Sequence, residues 1–191
     1  PKRLEELNYF DHISVRDQNT SDFVNKYLSI VPKIVCDPAL FLGSDIIQSK
    51  NIKYQITNKE KNIISIYGNN KIFIKIIDTN KDFIADSKLI SLGYFRKKNF
   101  ILDILKQFAD PLDIIKKFNE SKFILTTTFH GVIIALITKR PFLAIGDDNL
   151  ISRLSEYSIF YSSKRVIKVN DLEKNYDLIN LKLLSNNSDI D

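Results

Sequence analysis

Thr126, Thr127, Thr128, His130 and Gly131 stand together in the run KFILTTTFHGVIIALITKRPFLAIG, Lys122 to Gly146, and their types suit acid–base work on an anionic substrate. An imidazole takes and gives a proton near neutral pH, and His130 is one of only 2 histidines in the chain. The threonines bring hydroxyl donors, and Gly131 lets a ligand come close to the backbone. A helix that begins beside the histidine adds unpaired N–H groups and a positive end. A histidine at a helix start also serves as a capping or packing group. Here the donors, the glycine and the helix end beside it favour chemistry.

These residues need a strand to carry them to an edge and a helix to receive them. The apolar runs predict a strand over Phe123 to Leu125, a helix over Gly131 to Thr138 and a strand over Phe142 to Ile145. That is a parallel β-α-β unit with His130 at the carboxyl edge of the sheet, where ligands of open α/β sheets bind.

Upstream, a strand over Ile13 to Val15 leads through Arg16 and Asp17 to a helix from about Ser21 to Leu28, with Thr20 or Ser21 as cap. Lys33 to Cys36 reads as a second strand, and Gly43 to Lys53 as a loop. Asn62 to Tyr67 is a strand ending at Gly68; Lys71 to Thr79 reads as a strand too, though it could begin a helix. Leu89 to Tyr94 is a further strand, and Phe100 to Phe108 has helical spacing. Asp110 caps a helix to about Phe118 with Pro111 at its first position. Downstream, a helix over Asn149 to Tyr157, a strand over Val166 to Val169 and a helix over Leu172 to Leu184 complete an alternating order. Such an order implies a parallel sheet with right-handed crossovers.

The composition narrows the functional classes. A hydrophobic fraction of 44% and a charged fraction of 27% are those of a soluble globular protein. The net charge of +5 is modest and the lysines are interspersed with acids, which argues against nucleic acid as partner and leaves anionic small molecules or an anionic membrane surface open. Cys36, the single cysteine, has no internal disulfide partner; a reducing, cytoplasmic compartment is expected, with the thiol in the core. No zinc site, other metal or cofactor is predicted. No apolar stretch approaches the ~20 residues that span a bilayer, and no signal-peptide pattern is present. The chain starts at Pro1 and has no methionine, so further sequence upstream is expected.

HISVRD (His12 to Asp17), VCDPALFL (Val35 to Leu42) and above all TTTFHGVIIALITKRPFLAI (Thr126 to Ile145) resemble the polysaccharide pyruvyl transferase family. The most specific element is an aromatic-His-Gly, then an apolar helix, then a basic residue and proline before a strand. The resemblance implies an α/β fold, a Rossmann-like parallel sheet with helices on both faces, resembling one half of a GT-B fold. It divides the chain into a linker strand from a missing N-terminal domain (residues 1–20), a C-terminal domain (21–184) and a flexible tail (185–191).

The activity implied is transfer of the enolpyruvyl group of phosphoenolpyruvate to a sugar hydroxyl of a lipid-linked or polymeric polysaccharide intermediate, without cofactor, at the inner face of the membrane. His130 is then the catalytic acid or base. Arg16 holds a carboxylate or phosphate through its planar fork, and the helix start at Gly131 meets the departing phosphate with Thr126, Thr127 and Thr128. The family pattern commonly has an arginine two residues before the histidine, where this chain has Thr128; Arg140 and Arg153 are the candidate replacements.

Structural readings compete for several residues. Arg16 and Asp17 can pair with each other or cap the following helix, Asp37 and Pro38 read as a turn, and one of Asp147 and Asp148 reads as a helix cap before Asn149. Tyr94, Phe95 and Arg96 to Lys98 can stack a sugar over a basic rim or form a solvated strand end. Two other functions stay open. One is a GT-B glycosyltransferase donor domain using a nucleotide sugar, and the other is a non-catalytic glycan-binding or scaffolding module.

Overall fold

The computed structural model describes residues 5–35, 37–38, 62–92, 103–104, 111–155, 165–176 and 179–185. Backbone contacts divide the chain into two compact units, Pro1–Leu42 and Gly43–Asp191. The helix that follows the first strand lies in the first unit with the strands on either side of it. Cys36, the Gly43 to Lys53 loop, the Tyr94 to Lys98 segment, Asp110 and the tail beyond Ser185 lie outside the described residues.

In the first unit, β1 (Ser14–Val15) and β2 (Lys33–Ile34) pair in parallel around α1 (Gln18–Leu28). The helix starts three residues before the predicted Ser21. Asp17 is its cap, accepting the backbone N–H of Thr20 at 2.8 Å, and a carboxylate at this position satisfies an orphan donor and favours the positive helix end. Ser29, in left-handed backbone at φ 53°, ends it.

The second unit is built on β3 (Ile63–Tyr67), β4 (Lys88–Ser91), β5 (Asp103–Ile104), β6 (Phe123–Thr126), β7 (Phe142–Gly146) and β8 (Val166–Lys168). They form one six-stranded sheet in the order β5-β4-β3-β6-β7-β8, every neighbouring pair parallel. The chain winds outward from β3 to β5, then returns across β3 to wind the other way. That order is the doubly wound, Rossmann-like arrangement, and its reversal falls between β3 and β6.

Strand alternation assigns the helices to faces. Phe123, Leu125, Leu143 and Ile145 join a core with Phe73 and Ile76 of the Asn70–Phe73 turn and α2 (Ile74–Thr79), Ile84 of α3 (Lys81–Ile84), Leu172 of α7 (Val169–Asn175) and Leu181 of α8 (Leu181–Leu184). The other face of the same strands meets α5 (Phe129–Ile137) and α6 (Asp148–Ser155), with Thr126 against Gly131 and Gly146 against Leu150. Helices therefore cover both faces, as anticipated. All four residues of β6 are buried, which is why its sequence is a continuous apolar run capped by one threonine.

Three segments depart from the sequence reading. Lys71 to Thr79 is helical, because Phe73 and Ile76 reach one core at helical spacing and Asn69 caps the turn by accepting the N–H of Lys71, which outweighs the β-branched composition. Asp103–Ile104, inside the expected Phe100 to Phe108 helix, instead adds an edge strand beside β4. The C-terminal helix is also broken: α7 and α8 are separated around Ile179 and Asn180, where Asn80 donates to the Ile179 carbonyl and accepts the N–H of Leu181. The other elements that the sequence predicts lie within a few residues of their expected bounds, and α4 (Pro111–Glu120) does begin on its proline; α3 and the Glu6–Tyr9 turn were not anticipated.

Candidate active site

Three consecutive threonines follow one another off the carboxyl end of β6, and each does a different job. The Thr126 hydroxyl, fully buried, donates to the Tyr67 carbonyl at 3.0 Å and accepts the N–H of Thr128 at 3.1 Å. Thr127 accepts the N–H of Asn69 at 2.8 Å through its hydroxyl, while its own N–H donates to Tyr67 O at 3.1 Å. Thr128 has extended backbone and caps α5, its hydroxyl accepting the N–H of Gly131 at 3.0 Å. The sequence reading gave all three hydroxyls to the substrate. Each holds backbone: Thr126 spends its hydrogen on Tyr67 O, while the hydroxyls of Thr127 and Thr128, as acceptors, keep a hydrogen to donate.

Gly131 is likewise explained first by packing. A Cβ there would lie 2.0 Å from Thr126 Oγ1, so the glycine lets the first turn of α5 rest directly on the end of β6. Its N–H is taken up by Thr128. The helix begins two residues earlier than predicted, at Phe129, which puts His130 in its first turn.

His130 is exposed at the carboxyl edge of a central strand, and β6 and β7 on either side of α5 are parallel, Ile124 opposite Phe142. The β-α-β expectation for Lys122 to Ile145 is met. The imidazole stands edge-on to the Phe129 ring, centroids 5.8 Å apart, and that ring is itself 4% exposed. A buried ring on one side and solvent on the other leave the imidazole held but reachable. The positive end of α5 lies under it.

Arg153, on α6, completes the cluster. Its guanidinium lies over the Phe129 ring, 4.0 Å from the centroid, and its Nη2 atom is buried without a hydrogen-bond partner among the described residues. Arg140 does not join it. That residue follows the far end of α5, ten residues from His130 or about 15 Å along a helix, and its guanidinium donates to Asn119 Oδ1 at 3.2 Å.

Arg16 belongs to the first unit, where it pairs with the buried carboxylate of Asp37 at 2.5 Å while remaining about half exposed. Asp17 is the cap of α1 and does not share that pair. Asp147 accepts the N–H of Leu150 at 2.9 Å and so caps α6, and Asp148 pairs with Lys168. Sequence reasoning missed the loop after β3, Gly68 and Asn69. Gly-Asn at the end of an apolar run signals a turn. Only the strand order shows that this turn is the neighbour of the threonine segment.

A family model described as polysaccharide pyruvyl transferase matches residues 5–149. No curated protein and no solved structure matches the chain.

Proposed function

The chain belongs to the polysaccharide pyruvyl transferase family, and on that premise we propose that its second unit binds and activates phosphoenolpyruvate for ketal formation on a sugar of a cell-surface polysaccharide intermediate. In that reaction two hydroxyl oxygens of the sugar become bonded to the carbon that carried the phosphate. The methylene carbon gains a proton and becomes a methyl group, and the phosphate leaves with the C–O bond electrons. Protons must therefore move from the sugar to the methylene carbon and the leaving group. His130 is the carrier: it is exposed, it stands at the edge where ligands of such sheets bind, and a single imidazole can serve both as base and as acid.

The anionic ends of the donor call for positive charge. The first turn of α5 offers it through its dipole, and Arg153 through its guanidinium, held beside the helix by Phe129. Arg153 is thus a better replacement than Arg140 for the family's arginine at the position of Thr128. No metal is required by this scheme, since protonation and cationic stabilisation carry the charge changes. The acceptor is a lipid-linked or polymeric sugar presented by a further Rossmann-like domain at the inner membrane face.

The observation that carries the proposal is the exposed His130 on the capped first turn of α5 in a chain of this family. Incubating the full-length protein with phosphoenolpyruvate and a panel of lipid-linked sugars, and following phosphate release, tests it. Sugar-dependent release supports the reading. If thermal unfolding shifts with a nucleotide sugar and not with phosphoenolpyruvate, the chain is a glycosyltransferase donor domain instead. The neutral Thr128 favours one rival, a non-catalytic glycan-binding module, and silence with both donors would select it.

A further inference from the structure

Strand β3 and strand β6 are sequence-distant neighbours at the point where the sheet order reverses, and Tyr67 sits opposite Thr126. Gly68 and Thr127 are therefore the first residues off two adjacent strand ends, at the place where a doubly wound sheet opens a crevice. They are fitted to each other. Gly68 has φ +111°, and a Cβ on it would lie 2.2 Å from Thr127 Oγ1. The threonine hydroxyl occupies the space that any side chain at residue 68 would need, and from there it accepts the N–H of Asn69 at 2.8 Å. Asn69 in turn accepts the N–H of Lys71 through Oδ1 at 3.2 Å, opening the Asn70–Phe73 turn. Consecutive residues thus hold the two sides of the reversal: Thr127 fixes the β3 loop, and Thr128 fixes the start of α5 with His130.

We infer that Thr127 is a positioning residue that keys the Gly68–Asn69 loop to the His130 turn, making the two loops one wall of the donor site. This rests on the donor-binding reading above and extends the site to the β3 loop, which brings the exposed amide of Asn69 and the exposed ammonium of Lys71 to the same sheet edge as His130. The device depends on one oxygen. Serine keeps it, whereas valine, nearly the same shape, puts a methyl group where the Asn69 N–H needs an acceptor and frees the loop.

Hydrogen exchange of the full chain, read on peptides covering residues 68–71 and 127–131, tests the inference with phosphoenolpyruvate and with a nucleotide sugar as separate probes. Phosphoenolpyruvate is expected to slow exchange in both segments of the wild type and of Thr127→Ser. In Thr127→Val it slows only residues 127–131, with donor affinity lowered roughly ten-fold, the scale of one hydrogen bond lost from a site. Protection confined to 127–131 in the wild type, or joint protection surviving in Thr127→Val, overturns the role of Thr127 and leaves the donor assignment standing. Joint protection by the nucleotide sugar alone overturns the donor assignment and leaves Thr127 in its role. Protection by neither overturns both. The wild-type map decides whether the loops respond together even where a variant does not fold.

Discussion

The hydroxyl of Thr128 accepts the backbone N–H of Gly131 at 3.0 Å, so the residue two positions before His130 closes the first turn of α5 instead of carrying charge. Positive charge reaches the same turn from α6, where the Arg153 guanidinium lies over the Phe129 ring.

Thr128→Ala should cost about 1 kcal/mol, the usual worth of an N-cap, and lower the unfolding midpoint by about 2–4 °C for a chain of this size. Thr128→Ser should be nearly neutral. Calorimetry of the two variants checks this; equal midpoints for Ala and Ser would show that the cap contributes nothing.

Gly131→Ala sets two effects against each other. Alanine is favoured over glycine in a helix by up to ~1 kcal/mol, but overpacking against a fixed neighbour costs about 1–3 kcal/mol. Thr126 Oγ1 would be 2.0 Å from the new Cβ, on a fully buried side chain whose bond to Tyr67 O any rotation would break. The steric term should win. Denaturant titration is expected to show net destabilisation of roughly 1–2 kcal/mol, smaller when Thr126→Ala is made in the same chain, because neighbours that share a contact are not additive. A stabilised single variant would show that the strand end yields.

How much of this was legible in the residues depended on what each signal encodes. The β6-α5-β7 unit was readable because burial on both faces makes β6 uniformly apolar, and because a polar interruption of four or so residues has to be a loop. The Lys71 to Thr79 segment reads as a strand first and is a helix, since isoleucine-rich segments fit either period until the partner surface is known. Adjacency was beyond reach altogether. Residues 68 and 127 are far apart in sequence, and nothing in a single chain announces that β3 and β6 share an edge. For the same reason Thr126 and Thr127 read as free donors in the sequence: their partners, Tyr67 and Asn69, come from β3 and the loop that follows it. The sequence favours Arg140 as a substrate-binding residue, with Arg153 as a second candidate; the path of α5 puts Arg140 past its far end and Arg153 at its start.

Arg153 should matter more to binding than to folding. A cation stacked on an aromatic face contributes about 0.5–2 kcal/mol, yet here one of its nitrogens is also buried with no partner among the described residues, an arrangement that an anion would repair. Arg153→Gln is expected to raise KM for phosphoenolpyruvate by at least roughly ten-fold, with a smaller change in kcat, and Arg153→Lys to recover part of the loss. Steady-state kinetics on the full-length protein measures both. An unchanged KM in the Gln variant would remove Arg153 from the site and leave the helix end as the source of positive charge.

His130 offers the sharpest separation of chemistry from structure, because its ring is exposed and Phe129 and Thr128, not the imidazole, secure the turn around it. Replacing it should leave the fold almost untouched: surface substitutions away from special features shift stability by within about 0.5 kcal/mol. If it carries protons, His130→Ala lowers turnover by roughly two to four orders of magnitude while phosphoenolpyruvate still raises the unfolding midpoint, since the binding cations remain. His130→Gln should be as inactive as the alanine variant, for an amide can hydrogen-bond in place of the ring but cannot exchange a proton. Turnover retained in the Gln variant would make the residue a hydrogen-bonding group only. Parallel loss of activity and midpoint in both variants would make it a structural histidine, against the geometry of an exposed ring at a capped helix start.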